Sequence, residues 1–261
     1  MARTSYQCTA LVGTTKTGSI KADASGYYEV VLGALDFFNS AGNFYAYEPA
    51  KCLFEESSNL MRRVSNGALR GEYGHPKFTP GMTNRDFLMR VLEINEQSVS
   101  HHIKDVWIDS DRVYDRDGRK CIAIMGRVKP CGPFGDQLAA QLENPNENVC
   151  FSIRSLTEDI TDSNGTIIKT LREIVTWDYV NEPGISVANK FSAPSLETIC
   201  NRLVTTDNLI AARDFMKQHG FGLESGGLST LESAISKFTN PNFTKRDSGL
   251  VVPKKPTWLN W

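Results

Sequence analysis

Few side chains of this sequence have types and settings suited to acid–base or covalent chemistry. Among the four histidines, His75 stands out because the glycine and proline on either side of it restrict the backbone and fix where its ring points. His219 ends a predicted helix, where an imidazole interacts favourably with the helix dipole. His101 and His102 are adjacent in a predicted strand, so their rings point to opposite faces and cannot serve one site.

Two residues of one predicted strand are candidate nucleophiles. Ser152 lies within an apolar stretch, where a buried hydroxyl needs a hydrogen-bond partner; most such serines simply bond a nearby carbonyl. Cys150 lies two residues away on the same face, so a thiol enzyme that uses Cys150 and His75 is a rival interpretation. A cysteine buried in a strand is more often an inert thiol.

Metal and phosphate chemistry are less well supported by the spacing of residues. A metal site would have to combine His75, one of His101 and His102, and a carboxylate such as Glu72. These residues lack the HExxH or HxH spacing that places two ligands on one face of a rigid element. The loop at 130–135 (PCGPFG) lacks the glycine spacing and the Lys-Ser/Thr pair of a phosphate-binding loop.

The elements that must position these side chains alternate between strand and helix patterns. Hydrophobic alternation, β-branched runs and turn residues predict strands, whereas spacing near 3.6 with capping residues predicts helices. The predicted strands cover 26–38, 69–73, 98–109, 121–128, 148–156 and 167–180. The predicted helices cover 48–64, 136–142, 195–203, 206–219 and 228–238, and the polar stretch 77–86 is predicted to be a loop.

Composition excludes several classes of function. The 261 residues carry 29 basic and 30 acidic side chains, and this net charge of -1 argues against a protein whose main partner is a polyanion. No apolar run approaches the length of a membrane span, and the first residues lack a secretory signal pattern, so we expect a soluble intracellular protein. The six cysteines form no CxxC pair and indicate neither a zinc site nor a redox motif.

Residue character changes near the C-terminal end. Residues 1–221 are predicted to form one folded domain, of which residues 1–25 are flexible. Residues 222–261 are rich in Gly, Ser, Asn and Pro, and they are predicted to form a loosely attached tail.

Five motifs, taken in order, resemble those of the prohead (capsid maturation) proteases of tailed bacteriophages, which are serine endopeptidases distantly related to herpesvirus assemblin. Residues 39–45 (NSAGNFY) resemble the family's NxNGRxY opening. Residues 71–76 (GEYGHP) resemble its GELxHP motif, and 99–101 match its VSH stretch. Residues 151–155 (FSIRS) match its VSSRG motif at the serine and arginine, and 175–183 (VTWDYVNEP) resemble its VTVDVVADP segment.

The resemblance assigns roles to residues of this chain. It makes Ser152 the nucleophile, His75 the general base and Asp178 the group that orients the imidazole, with His101 and Glu182 as alternatives for the third position. Arg154 would stabilise the oxyanion directly or anchor the loop that does so, or it would pair with Glu158 or Asp159. No metal or other cofactor is implied.

Two departures from the family pattern mark this chain. Ser155 and Leu156 replace the glycine that usually follows the arginine. The 77-residue separation of His75 and Ser152 implies insertions, which we place at 77–90 and 110–118.

The fold and function implied by the resemblance are specific. The fold would be α+β: a closed or nearly closed, mostly antiparallel, assemblin-like barrel flanked by helices. The protein would cleave scaffold, core and capsid-protein propeptides inside the immature capsid, in the host cytoplasm, and it would form a homodimer. The alternatives are a catalytically silent structural or scaffold protein on the same fold and the Cys150/His75 thiol hydrolase.

Family members typically cut after glutamate, and this preference suggests sites in the chain itself. Glu197, Glu224 and Glu232 each follow the small-residue, leucine, glutamate pattern of such sites. We therefore predict self-cleavage after Glu224 or Glu232, which would remove the tail; the alternative is that these are ordinary surface glutamates.

Overall fold

The computed structural model describes residues 3–12, 20, 22–115, 117–182, 184–188, 202–220 and 227–239. The strands are β1 (Arg3–Val12), β2 (Tyr28–Leu35), β3 (Phe37–Phe38), β4 (Phe44–Tyr45), β5 (Arg70–Glu72), β6 (Val99–Asp109), β7 (Ile122–Pro130), β8 (Cys150–Thr161), β9 (Ile167–Val180) and β10 (Arg202–Thr205). The α-helices are α1 (Asn59–Ser65), α2 (Asn84–Leu92), α3 (Gly135–Glu143), α4 (Thr206–His219) and α5 (Gly227–Thr239). Three 3₁₀ helices cover Glu48–Phe54, Glu96–Ser98 and Ser186–Ala188.

The strands form two sheets, which confirms the predicted α+β class. One sheet has the order β10-β1-β8-β9-β4-β3, and the other has the order β2-β7-β6-β5. Within the sheets all the described pairs are antiparallel except β4 with β9. The predicted closed barrel is wrong for the described strands. Closure requires two neighbours for every strand, whereas β3, β10, β2 and β5 are each at the edge of a sheet.

The two sheets approach each other at the end of β5. An isolated parallel bridge joins Tyr73, just after β5, to Tyr179 of β9. This bridge brings the residues that follow β5 against the longest strand of the larger sheet. It therefore positions the predicted site.

The β8–β9 hairpin is the longest ladder of the fold, and its turn explains its register. Asp162 accepts hydrogen bonds from the backbone N–H groups of Asn164 (2.8 Å) and Thr166 (2.8 Å) through its side chain. Gly165 takes a positive φ of 77° that glycine tolerates without strain. The turn sets the pairing that continues, with two register shifts, to Cys150 opposite Val180.

The apolar residues divide into two main clusters. The larger lies among the two sheets, α1 and α3, and it contains Ile153, Trp177 and Tyr179. The second lies where α2, α4 and α5 pack on the outer face of β8 and β9; its buried members are Phe87, Leu88, Val91, Leu92, Leu156, Val175, Leu209, Ala212, Met216, Leu231 and Ala234. The helices therefore cover one face of the larger sheet.

Three predicted elements differ in the structure. The helix predicted over 48–64 divides into Glu48–Phe54 and α1, because Glu55 is extended and Ser58 caps the second helix through a bond from the Met61 N–H (3.1 Å). The loop predicted over 77–86 ends at α2, which begins with a capping box formed by Thr83 and Asp86. Residues 202 and 203, predicted as the end of the helix over 195–203, belong to β10 because this segment pairs with β1.

Helix α5 lies inside the segment that the sequence assigns to the tail. Its Leu231 and Ala234 side chains are fully buried in the second apolar cluster. The division of the chain at residue 222 stays a prediction, but this helix packs against the folded body. In the described part of the chain, no helix combines the length and the apolar character needed to cross a membrane.

Candidate active site

Ser152 and Asp178 come together through strand pairing. They are directly opposite each other in the antiparallel β8–β9 ladder. Their neighbours Ile153 and Trp177 pack in the larger apolar cluster, so Ser152 and Asp178 project from the opposite face of the sheet. Both side chains are fully buried.

His75 reaches this pair from the segment that follows β5. The N–H of Tyr73 donates to the carbonyl of Ser98 (2.7 Å), and the N–H of Gly74 donates to the carbonyl of Tyr179 (2.8 Å). Gly74 has a φ of 75°, which turns the chain so that the next residue points at the sheet. Glycine suits position 74 because the two backbone hydrogen bonds hold the chain in a path that requires a positive φ there.

The imidazole of His75 joins the other two side chains. Its Nδ1 lies 3.0 Å from Oδ2 of Asp178, and its Nε2 contacts Oγ of Ser152. With a proton on Nδ1, the ring donates to the carboxylate and presents the Nε2 lone pair to the serine O–H. This arrangement can withdraw a proton from the hydroxyl as it attacks an electrophile, and the carboxylate can stabilise the imidazolium that results.

The carboxylate of Asp178 is held ionised by its surroundings. Burial alone would raise its pKa, but the charge of Arg154 and the hydrogen bond from His75 outweigh this effect and lower the pKa from 3.8 to about 2. The N–H of Glu72 also donates to Oδ1 at 3.1 Å. At neutral pH Asp178 is therefore an anion that fixes the tautomer of His75.

Arg154 lies on the same face as Ser152, two residues along β8, and its guanidinium is directed at Asp178. Nε donates to Oδ2 (2.9 Å) and Nη2 donates to Oδ1 (2.7 Å). Nη1 donates to the carbonyls of Val91 (3.3 Å) and Glu93 (2.9 Å) at the end of α2. These bonds suit Arg154 to anchoring the carboxylate.

The surface pairs considered for Arg154 go to other cations. Glu158 accepts two bonds from Arg172, at 2.9 and 2.6 Å, and Asp159 pairs with Lys169. Arg172 and Lys169 are both buried on the neighbouring strand β9. The carboxylates near the far end of the hairpin are thus bound within the hairpin itself.

Of the two alternatives for the third position, His101 lies near Asp178 but contacts Ser100, and Glu182 lies beyond the end of β9. His101 is fully buried, its Nδ1 lies 2.8 Å from Oγ of Ser100, and its ring packs edge-on against Phe151. Burial lowers the pKa of His101 from 6.5 to about 4, so the ring is neutral. Glu182 is exposed beyond the end of β9. Of the three carboxylate and imidazole candidates, Asp178 is the one in contact with His75.

The thiol and metal interpretations gain no support from the geometry. Cys150 is buried, and its Sγ donates to the carbonyl of Asn181 at 3.3 Å, while Nε2 of His75 contacts Ser152. Across the described part of the chain, no three His, Cys, Asp or Glu side chains gather as metal ligands. The carboxylate of Glu72 pairs with arginines instead.

An aromatic stack beside His75 was not predicted from the sequence. The ring of Tyr73 stacks on Phe134 with centroids 4.8 Å apart, and it packs on Tyr179 at 5.1 Å. Phe134 comes from the PCGPFG loop, which the sequence analysis considered only for phosphate binding. The stack supports the backbone immediately before His75.

The glutamates proposed as cleavage sites are only partly visible. Glu197 and Glu224 lie outside the described residues. Glu232 is exposed on α5, and its carboxylate pairs with Nζ of Lys217 on α4 at 2.6 Å. The helix around Glu232 has to unwind before a protease can bind this segment as an extended strand.

The sequence is similar to a peptidase family and to a phage capsid protease. Residues 6–235 match the model of the peptidase S80 family. The capsid maturation protease of Pseudomonas phage phiKZ is 39% identical over 229 residues, which cover 85% of this chain and 83% of the phage protein. The solved structure of the bacteriophage T4 capsid assembly protease, gp21, aligns with a TM-score of 0.44 at 13% identity, covering 67% of this chain and 98% of gp21.

Proposed function

The chain belongs to the peptidase S80 family, and we propose that it is a serine endopeptidase of phage capsid maturation. Ser152 is the nucleophile, His75 the general base and acid, and Asp178 the residue that orients His75. The single observation that carries this assignment is the contact of one imidazole with both partners, Oγ of Ser152 on Nε2 and Oδ2 of Asp178 on Nδ1.

The reaction follows from this geometry. Oγ of Ser152 attacks the peptide carbonyl while its proton moves to Nε2 of His75, and Asp178 stabilises the imidazolium. The imidazolium then protonates the leaving amine, which departs and leaves an acyl-serine. Water loses a proton to Nε2 as it attacks the ester, and the imidazolium returns this proton to Oγ of Ser152 as the acyl–oxygen bond breaks and the acid product leaves. Arg154 serves this cycle by holding the Asp178 carboxylate.

The name of one relative supports a proposal about the substrates. The relative from phage phiKZ is named a capsid maturation protease, so we propose that the protein acts inside the prohead on propeptides of scaffold, core and capsid proteins. The resemblance to prohead proteases supports cleavage after glutamate. Self-cleavage after Glu224 or Glu232, and a homodimer, are further proposals that rest on the same resemblance.

The test uses a fluorophosphonate, which phosphonylates an activated serine and releases fluoride. We expect the wild type and Cys150→Ala to gain one adduct in intact-mass spectra, located at Ser152 by peptide mapping, and Ser152→Ala to gain none. Incubation with the phage capsid and scaffold proteins should give fragments that end in glutamate with the first two proteins only.

Contrary outcomes separate the alternatives. Loss of hydrolysis in Cys150→Ala, with retention in Ser152→Ala, would establish the thiol hydrolase. A wild type that neither reacts with the probe nor cuts capsid and scaffold proteins would favour a catalytically silent scaffold protein.

A further inference from the structure

A buried carboxylate next to the site is paired with a cation from helix α2. Nη1 of Arg90 donates to Oε1 of Glu72 at 3.0 Å, and Nη2 contacts Oε2, so the pair is bidentate. The N–H of Asn95 also donates to Oε1 at 2.8 Å. The Glu72 side chain is 1% exposed, whereas that of Arg90 is 26% exposed. Such a carboxylate requires these partners, because an uncompensated buried charge is strongly destabilising.

The same carboxylate contacts the arginine that holds Asp178. Nη2 of Arg154 lies 3.1 Å from Oε1 of Glu72 and 2.7 Å from Oδ1 of Asp178. One guanidinium therefore stands between two buried carboxylates. Arg90 supplies the second positive charge, so two arginines balance two carboxylates while His75 is neutral.

Helix α2 is fixed to this network at a second point. The carbonyls of Val91 and Glu93, at the C-terminal end of the helix, accept hydrogen bonds from Nη1 of Arg154. These are groups that a helix end leaves without intrahelical partners. The C-terminal end of α2 therefore provides both the Arg90 cation that binds Glu72 and the carbonyl acceptors that bind Arg154.

We infer that Arg90 and Glu72 are positioning residues of the active site, which act through Arg154 on the Asp178 carboxylate that orients His75. Without Arg90, the Glu72 carboxylate has Arg154 as its remaining charged partner and draws that guanidinium away from Asp178. Part of the segment that the sequence analysis treated as an insertion, 77–90, therefore supports the catalytic geometry. This inference rests on the proposed serine mechanism.

A change in this charge balance should alter the pH dependence of the rate at which Ser152 reacts. Removal of Arg90 leaves a net negative charge near His75, and this charge favours the imidazolium. The acid limb of the pH–rate profile for Ser152 modification therefore moves to higher pH. Removal of the Glu72 charge leaves a net positive charge and moves that limb to lower pH. Among the described residues, the titratable and charged groups around His75, its carboxylate and Arg154 include Asp178 (β9), Arg154 (β8), Glu72 and Tyr73 (β5 and the residue after it), Arg90 (α2), His101 (β6), Tyr179 (β9) and Arg63 (α1).

The experiment measures the second-order rate of phosphonylation of Ser152 from pH 5 to 9 by intact mass. The variants are Arg90→Met, Glu72→Gln, Arg90→Lys and Arg85→Met. Arg85 is the matched control, since it lies on the same helix but pairs with the exposed Asp86 and stacks over Phe215. Thermal unfolding of each variant shows that it is folded at the assay temperature.

We expect Arg90→Met to react about tenfold more slowly at pH 7, with its acid-limb midpoint raised by roughly half a pH unit. Glu72→Gln should move the midpoint in the opposite direction, Arg90→Lys should restore part of the rate, and Arg85→Met should match the wild type. Equal rates and midpoints for Arg90→Met and Arg85→Met would overturn the inference. A slower rate without opposite midpoint shifts would also overturn it, because that pattern indicates only a general loss of structure. If the wild type itself is not labelled at Ser152, the proposed serine mechanism fails first.

Discussion

Arg154 binds both carboxylate oxygens of Asp178 through Nε and Nη2, at 2.9 and 2.7 Å, and neither side chain has any solvent exposure. The planar guanidinium matches the carboxylate in a way that a lysine ammonium cannot. The orientation of Asp178, which contacts His75, is therefore tied to a residue on β8, the strand that carries Ser152.

Loss of this pair should be costly to folding. Arg154→Met leaves the buried carboxylates of Asp178 and Glu72 short of a partner, so we expect the free energy of unfolding to fall by about 3–5 kcal/mol. Urea unfolding measures the change. Arg172→Met is the comparison, because Glu158 is 17% exposed and can be solvated when its partner is removed. A similar decrease in the free energy of unfolding of both variants would contradict a larger contribution from the Arg154 pair.

Asp178→Asn should separate orientation from structure. The amide keeps the size of the side chain, but it removes the charge that fixes the His75 tautomer. We expect Ser152 phosphonylation and peptide hydrolysis to slow by on the order of 10³–10⁴. Glu182→Gln is the control, and it should retain wild-type rates because Glu182 is exposed beyond the strand end. Full activity of Asp178→Asn would show that the reaction does not need the Asp178 carboxylate.

His101 should make stability depend on pH. Burial lowers its pKa from 6.5 to about 4, so the unfolded state binds more protons between these values. Stability is complete above pH 6.5 and falls as the pH decreases towards 4, by roughly 3 kcal/mol in total. Urea unfolding at pH 7, 5.5 and 4 measures this change, and His101→Gln should lose less stability over the range. An equal loss in His101→Gln would assign the effect to other groups.

Asp178 should cause a second loss of folding stability at lower pH. Its pKa is lowered from 3.8 to about 2 in the folded state, so its contribution is present above pH 3.8 and is lost as the pH falls through 2. We expect acid unfolding of Asp178→Asn to be less steep in this window than that of the wild type. Circular dichroism between pH 5 and 2 follows the transition.

Gly71 should be intolerant of a side chain. A Cβ at this position would lie 2.1 Å from the carbonyl oxygen of Trp177 and 2.3 Å from Cε1 of His101. We expect Gly71→Ala to reduce the free energy of unfolding by about 3 kcal/mol and to slow phosphonylation, because Trp177 precedes Asp178. Gly67→Ala has open space, and its cost comes only from a φ of 65°, about 1 kcal/mol. Thermal unfolding compares the two.

Helix α5 should control access to the bond after Glu232. Leu231 is fully buried against α2 and α4, so we expect Leu231→Ala to destabilise the protein by about 2–4 kcal/mol. Local unwinding of α5 should then increase self-cleavage after Glu232, as measured by intact mass. Ser236→Ala, on the exposed side of the helix, is the control and should leave the cleavage pattern unchanged. Unchanged cleavage in Leu231→Ala would separate this site from helix stability.

The local features of this protein could be predicted from the spacing and types of neighbouring residues. Apolar alternation and turn residues predicted strands at the positions of β6, β7, β8 and β9, since each pattern depends on residues close in the chain. The glycine and proline beside His75 and the serine in an apolar strand identified two side chains that the structure brings into contact.

Packing between distant segments determines which side chains contact His75. The resemblance favoured Asp178 over His101 and Glu182 for the third position, and strand register places Asp178 opposite Ser152. The direction of Arg154, the pairing of Glu72 with Arg90 and the arrangement of two sheets instead of a closed barrel also depend on contacts between distant segments. Local periodicity specifies the face on which a residue lies, but the partner across that face is set by how the strands and helices pack.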